Sequence, residues 1–149
     1  MNGVGSLIVC RVGSIDLGIS LDCVQEINRT VEATPVPRVE HAIRGLINLR
    51  GSLITVLDLG VLLAGQPLGN TRHSRNVIVE HRGERYGLVV DAVGDVVQAH
   101  ELPTESLPAH VEPEAARFFS GLVQHGPQVL LLLDIDAVVS LRAEEAPTP

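Results

Sequence analysis

Along residues 6–21, SLIVCRVGSIDLGISL, apolar positions alternate loosely with polar ones and break at Gly13-Ser14, which predicts a hairpin. DCVQEINR (22–29) reads as a turn and a further strand, and TVEATPVPRVEHA (30–42), with two prolines, as a loop. The stretch 44–59, RGLINLRGSLITVLDL, predicts two strands meeting at Arg50-Gly51. Asp58 is placed to cap a short helix, LGVLLAG, which Gly65 and Pro67 stop. QPLGNTRHSR (66–75) is a polar connection.

The second half repeats this order. LIVCRVGSIDLGISLDCVQEI (7–27) lies over VIVEHRGERYGLVVDAVGDVV (77–97), with Gly13 on Gly83, Gly18 on Gly87, Asp22 on Asp91, and one residue gapped in the turn. RGLINLRGSLITVLDLGVLL (44–63) lies over SGLVQHGPQVLLLLDIDAVV (120–139), with Gly45 on Gly121 and Asp58 on Asp134, both 76 residues apart. The second copy has the longer central loop, ELPTESLPAHVEPEAA, with three prolines. Each copy predicts about five short strands, and five short strands close into a small barrel that hides its edges. The runs VLLLLDI and LITVLDL are nearly continuous, so both strands are expected to be buried on both faces, between the barrels. The expected architecture is all-β: two SH3-like five-stranded β-barrels on a shared hydrophobic interface, with short capped helices. The domain is drawn over 7–141, and 142–149, RAEEAPTP, is drawn as a flexible tail.

Composition narrows the chemistry. The 149 residues are 45% apolar but only 2% aromatic, so the core is aliphatic. All eleven basic residues are arginine and the net charge is −7, which argues against a non-specific nucleic-acid binder. Cys10 and Cys23 form no metal or disulfide pattern and sit among apolar neighbours, as buried free thiols do. No signal peptide or apolar run of ~18 residues is present, so a cytoplasmic protein without membrane insertion is expected.

Catalytic machinery is not visible. None of His41, His73, His81, His100, His110 and His125 stands in a metal-binding spacing, and His81 reads as a surface hairpin residue. Asp134 and Asp58 read as matched helix caps, with Asp136 in the first helical turn. Gly3-Val4-Gly5 precedes a strand instead of following one and is a flexible terminus. No phosphate loop or nucleophile elbow occurs. No enzyme, cofactor or metal site is expected. An oligonucleotide- or ligand-binding barrel would need stacking aromatics, and only Tyr86, Phe118 and Phe119 exist; Phe118-Phe119 more naturally opens a core strand.

Arg50 remains. The second copy keeps a glycine, Gly126, in the matching turn but no arginine, so turn geometry does not demand Arg50. Glu26 likewise stands where the second copy has Val97 or its neighbour. An ion pair between Glu26 and Arg50 is expected, with the planar guanidinium fixing orientation.

VQEI (24–27), RGLINLRGSLITVLDL (44–59), YGLVVDAVGDV (86–96) and GLVQHGPQVLLLLDIDAVV (121–139) together resemble the CheW-like family of chemotaxis coupling proteins. The resemblance runs from about Leu7 to Leu141 and implies two SH3-like barrels and a non-catalytic scaffold. It implies two partners: the cytoplasmic tip of methyl-accepting chemoreceptors, and the regulatory domain of a CheA-type histidine kinase, met barrel end to barrel end. It places a receptor groove near Val24, Glu26, Gly45, Arg50 and Val96, with Val24 and Val96 as apolar contacts and Gly45 admitting a close-approaching helix. Thr55 stands where the family usually has proline, and the turn in RGERYG is one residue shorter than the common pattern. These departures leave a diverged accessory adaptor, which keeps the receptor and has lost the kinase, as the alternative.

Overall fold

The computed structural model describes residues 5–37 and 41–145, with side chains to Ser140. Strands β1 (Ser6–Val12) and β2 (Ile15–Ser20) form the first hairpin, and a 3-10 turn (Leu21–Cys23) leads to β3 (Val24–Arg29). β4 (Ile43–Leu49) and β5 (Ser52–Asp58) form the second hairpin, followed by helix α1 (Leu59–Ala64). β6 (Arg75–His81), β7 (Glu84–Val90) and β8 (Ala92–Gln98) come next. A short helix α2 (Pro113–Ala116) lies within the long proline-bearing connection, where only loop was expected. Its first residue is Pro113, whose fixed φ suits a helix start. The chain ends in β9 (Phe119–His125), β10 (Gln128–Leu133) and α3 (Ile135–Glu145). α3 carries helical backbone four residues past Leu141, into the stretch drawn as a tail. Residues 146–149 and the Gly3-Val4 step lie outside the described residues.

The ten strands form two five-stranded sheets, in the orders β8-β1-β2-β10-β9 and β3-β6-β7-β5-β4. These are the two SH3-like units expected. The sheets are not assembled one per repeat, however. The first sheet takes β1 and β2 from copy one and β8, β9 and β10 from copy two, and the second takes the complement. The change occurs at the 3-10 turn and at Asp91, where each copy leaves its first hairpin and its third to fifth strands pair with the first hairpin of the other copy. β3 pairs with β6, and β8 pairs with β1.

Strand register also corrects the repeat alignment. The parallel pairs Leu131↔Leu17 and Thr55↔Tyr86 are 76 and 69 residues apart position for position, so the first hairpins superpose at 69 without a gap. Gly13 therefore matches Arg82, not Gly83, and Leu7 matches Asn76. The side chain of Leu7 fills the space Gly18 leaves empty, its Cδ1 lying 3.0 Å from where a Cβ would stand. Asn76 fills the corresponding space over Gly87.

One core joins the sheets. Ile8, Cys10, Val12, Leu17 and Ile19 of the first sheet pack with Val77, Val79, Leu88 and Val90 of the second, sealed by Leu59 and Leu63 of α1 and Val138 and Val139 of α3. Each sheet keeps a smaller core of its own, around Leu130 and around Ile54. β5 and β10 meet the expectation of two-faced burial only in their second halves. Val56, Leu57 and Asp58 are all buried, but Leu53 is 69% exposed and its repeat mate Val129 is 44% exposed. Cys10 and Cys23 are free thiols, and burial pushes the Cys10 thiol up to about 12.

Candidate docking site

The hairpin β4–β5 turns on two residues, Arg50 at φ 51° and Gly51 at φ 88°. Positive φ at both centres is what a two-residue turn matched to strand twist requires, and Asn-Gly is its usual sequence. Arginine at the first centre is uncommon. The repeat mate of Arg50 is Gly126, at φ 62°, but Pro127 follows it and holds a negative φ, so the second copy makes a different turn, with positive φ at its first centre only. The Arg50 side chain also has a partner. Its Nη2 forms an ion pair with Oε2 of Glu26 on β3. β3 and β4 are the two edges of one sheet, so this contact ties the ends of the sheet together. The neighbouring Asn28 Nδ2 donates to Glu26 Oε1 at 3.3 Å. The Arg50 hydrogen bond, ahead of the partial desolvation that opposes it, holds the Glu26 carboxyl below its ordinary range.

The expected Glu26–Arg50 pair is thus present. The supposed peculiarity of Glu26 is corrected: at the 69-residue offset its mate is another carboxylate, the exposed Asp95, and no ion pair of Asp95 occurs among the described residues. It is Arg50, not the acid, that sets the first copy apart. Val24 begins β3, half-buried and two residues before Glu26. Val96 is 47% exposed on β8, the edge strand of the other sheet that corresponds to β3. Val24, Glu26 and Arg50 lie in one sheet and Val96 in the other.

Gly45 differs from its expected setting. It is buried at φ 142°, and a Cβ there would collide with the carbonyl of Thr34. Thr34 and Leu46 exchange backbone hydrogen bonds of 2.9 Å each way. The close approach that needs glycine is made by the chain's own loop, and Gly121 repeats it beneath Glu105.

Sequence reasoning missed Arg44. Asp58 is 2% exposed and caps α1 as expected, accepting from Gly60 N–H at 2.8 Å. Its second oxygen accepts from Arg44 Nε at 2.9 Å, while Arg44 Nη2 donates to Leu68 O at 2.7 Å. The signal was available: Arg44 stands fourteen residues before a buried cap on the paired strand. The exposed end of the same sheet holds a second feature, a cleft of about 460 Å³ lined by Leu46, Leu53, Thr55, Gly83, Glu84 and Arg85. Leu53 projects there without burial.

Other chemistry finds no centre. Among the described residues no group of three or more His, Cys, Asp or Glu side chains could hold a metal ion. Tyr86, Phe118 and Phe119 are all buried, so none offers a stacking platform. Asp134 caps α3, accepting from Ala137 N–H at 3.2 Å. His81, partly exposed at the hairpin, has a partner there: its Nε2 meets Asp136 Oδ1 at 2.8 Å. No helix among the described residues is long and apolar enough to cross a membrane.

Comparison with known proteins agrees with this architecture. Residues 6–143 match the family described as the CheW-like domain. The chain is 31% identical to a chemotaxis protein CheW of Bacillus subtilis over 96% of this chain and 92% of that one. It is 31% identical to a chemotaxis protein CheW of Klebsiella aerogenes over 89% and 80%. The crystal structure of the scaffolding protein TtCheW from Thermoanaerobacter tengcongensis matches with a TM-score of 0.79 at 29% identity, covering 88% of this chain and 89% of that one. With the sequence matched almost end to end and the paired five-stranded sheets shared, the chain belongs to the CheW-like family of chemotaxis scaffold proteins.

Proposed function

We propose that this protein is a non-catalytic adaptor that couples the cytoplasmic tip of methyl-accepting chemoreceptors to the regulatory domain of a CheA-type histidine kinase, in the cytoplasm at receptor arrays. The observation that carries the receptor arm is Arg50, kept in a left-handed backbone position that its repeat mate fills with glycine, and spent on an ion pair with Glu26. Its fork and the apolar side chains of Val24 and Val96 suit a helical partner that brings an apolar face with polar flanks. Gly45 serves this surface indirectly, by letting Thr34 pack beneath β4. The kinase arm is supported by the unburied Leu53 in its cleft at the sheet end, a size and character suited to an aliphatic end-to-end contact.

Calorimetry tests both arms separately, with a receptor-tip fragment and with the kinase regulatory domain, using wild type, Arg50→Ala and Val24→Asp. Binding of both partners, with the two variants weakened only toward the receptor, is the expected result. Wild type that binds neither partner overturns the reading. One observation favours a second reading. Thr55, in place of the family's usual proline, lines the Leu53 cleft. Receptor binding without kinase binding would make the protein a diverged accessory adaptor.

A further inference from the structure

The turn between β6 and β7 repeats the oddity of Arg50. Arg82 occupies the first centre at φ 53°, and Gly83 the second at φ 82°. Its counterpart in the other sheet is Gly13, at φ 60°, followed by Ser14, whose φ is not positive, so that hairpin makes a different turn. Arg82 Nη2 lies 3.5 Å from Asp136 Oδ1, the same oxygen that His81 Nε2 meets at 2.8 Å. Asp136 belongs to α3, which continues from β10 of the other sheet. α3 is itself firmly seated, by the Asp134 cap and by Val138 and Val139 in the shared core.

The internal symmetry of the fold supplies a control. At the equivalent place on the other hairpin, His81, Arg82 and Asp136 are replaced by Val12, Gly13 and Gly60. There the turn is held differently, with Gly13 N–H donating to Asp91 Oδ2 at 2.7 Å. The three-residue contact is an addition to one side of a repeated scaffold. The hairpin it fastens carries Gly83, Glu84 and Arg85, which form one wall of the Leu53 cleft.

We infer that His81 and Arg82, clamped onto Asp136, form a latch between the two sheets that sets the position of the hairpin wall of the Leu46–Leu53 cleft. Asp136 is thereby a positioning residue for the partner that docks there. The latch links two elements that belong to different sheets. The partner is the kinase regulatory domain, and in that respect the inference rests on the function proposed above. The other groups facing the latch are Glu84 and Tyr86 of β7, which bond each other, Tyr86 O–H donating to Glu84 Oε1 at 3.1 Å.

Amide hydrogen exchange of the full-length protein, followed by NMR, tests the latch without any partner. Asp136→Asn is expected to speed exchange of the Glu80–Arg85 amides about two- to five-fold, the range for breaking an exposed ion pair, while β1 and β2 stay unchanged. The exchanged pair His81→Asp with Asp136→His is expected to restore protection, which a purely local effect of residue 136 on helix α3 would not do. Calorimetry with the kinase regulatory domain should show affinity falling in Asp136→Asn and recovering in the exchanged pair. Unchanged hairpin exchange in Asp136→Asn, or no recovery in the exchanged pair, overturns the latch. A loosened hairpin with unchanged kinase affinity overturns its link to the cleft. Wild type that binds no kinase regulatory domain overturns the kinase arm, and the exchange data then judge the latch alone.

Discussion

Single residues explain most of what distinguishes the two copies. Arg50 sits where asparagine or glycine is the unstrained choice. Arg50→Asn is therefore expected to leave the midpoint of denaturant unfolding unchanged or slightly higher, while receptor-tip affinity falls in calorimetry. The same variant should release Glu26. Arg50 holds the folded-state value below its ordinary one, so the pair's contribution to stability is complete above the ordinary glutamate range and is lost as pH falls through the lowered value. A side-chain NMR titration should show the Glu26 midpoint below that of a free glutamate in wild type and higher in Arg50→Asn, where only Asn28 and Arg85 still favour the charged form. Asp58 is the opposite case, a buried carboxylate serving as both cap and counter-ion. Asp58→Ala removes the cap and strands the half-buried Arg44, at a cost of about 2–4 kcal/mol measured by denaturant unfolding.

At the level of elements, the two copies of one hairpin solve the same packing problem with different chemistry. Leu7 over Gly18 is a wholly apolar fit. Asn76 over Gly87 leaves its buried Oδ1 without a partner. Asn76→Leu reproduces the arrangement of the other copy and is expected to stabilise by about 1 kcal/mol, because an unsatisfied buried amide is replaced by a side chain of similar shape. Gly87→Ala should destabilise, since its Cβ would strike that amide; combining it with Asn76→Ala should recover part of the loss in the same unfolding measurement. The strand periodicity that revealed the hairpins could not reveal this difference. Asn76 opens a strand beside Arg75, where a polar residue reads as a solvated edge, and only the barrel-facing direction of its side chain makes it buried. The expectation that β5 and β10 are buried on both faces failed for a related reason. An unbroken apolar run does not say which end projects past the neighbouring sheet, and Leu53 projects.

For the whole molecule, the exchange of first hairpins between the two copies has a mechanical consequence. Each sheet contains strands from both halves of the chain, and both sheets share one core. Neither half can complete a sheet alone. Unfolding is expected to be one cooperative transition, with far-UV circular dichroism and the fluorescence of the single tyrosine, Tyr86, giving coincident curves. Separate transitions would mean that the two sheets are independent.

By itself, the sequence determined the number and order of the strands, the duplication, both helix caps, the aliphatic character of the core and the meeting of Glu26 with Arg50. These are legible because they rest on local periodicity, on turn and cap chemistry, and on differences between two copies of one pattern. Tertiary structure alone decided which copy's strands pair, because hydrogen-bonded ladders are indifferent to chain order and the first hairpin of either copy can complete either sheet. It alone decided that Gly45 makes room for Thr34, that Arg44 neutralises Asp58, and that His81 and Arg82 reach Asp136. Each of these depends on which side chains and loops the folded strands bring into contact, which strand periodicity does not encode.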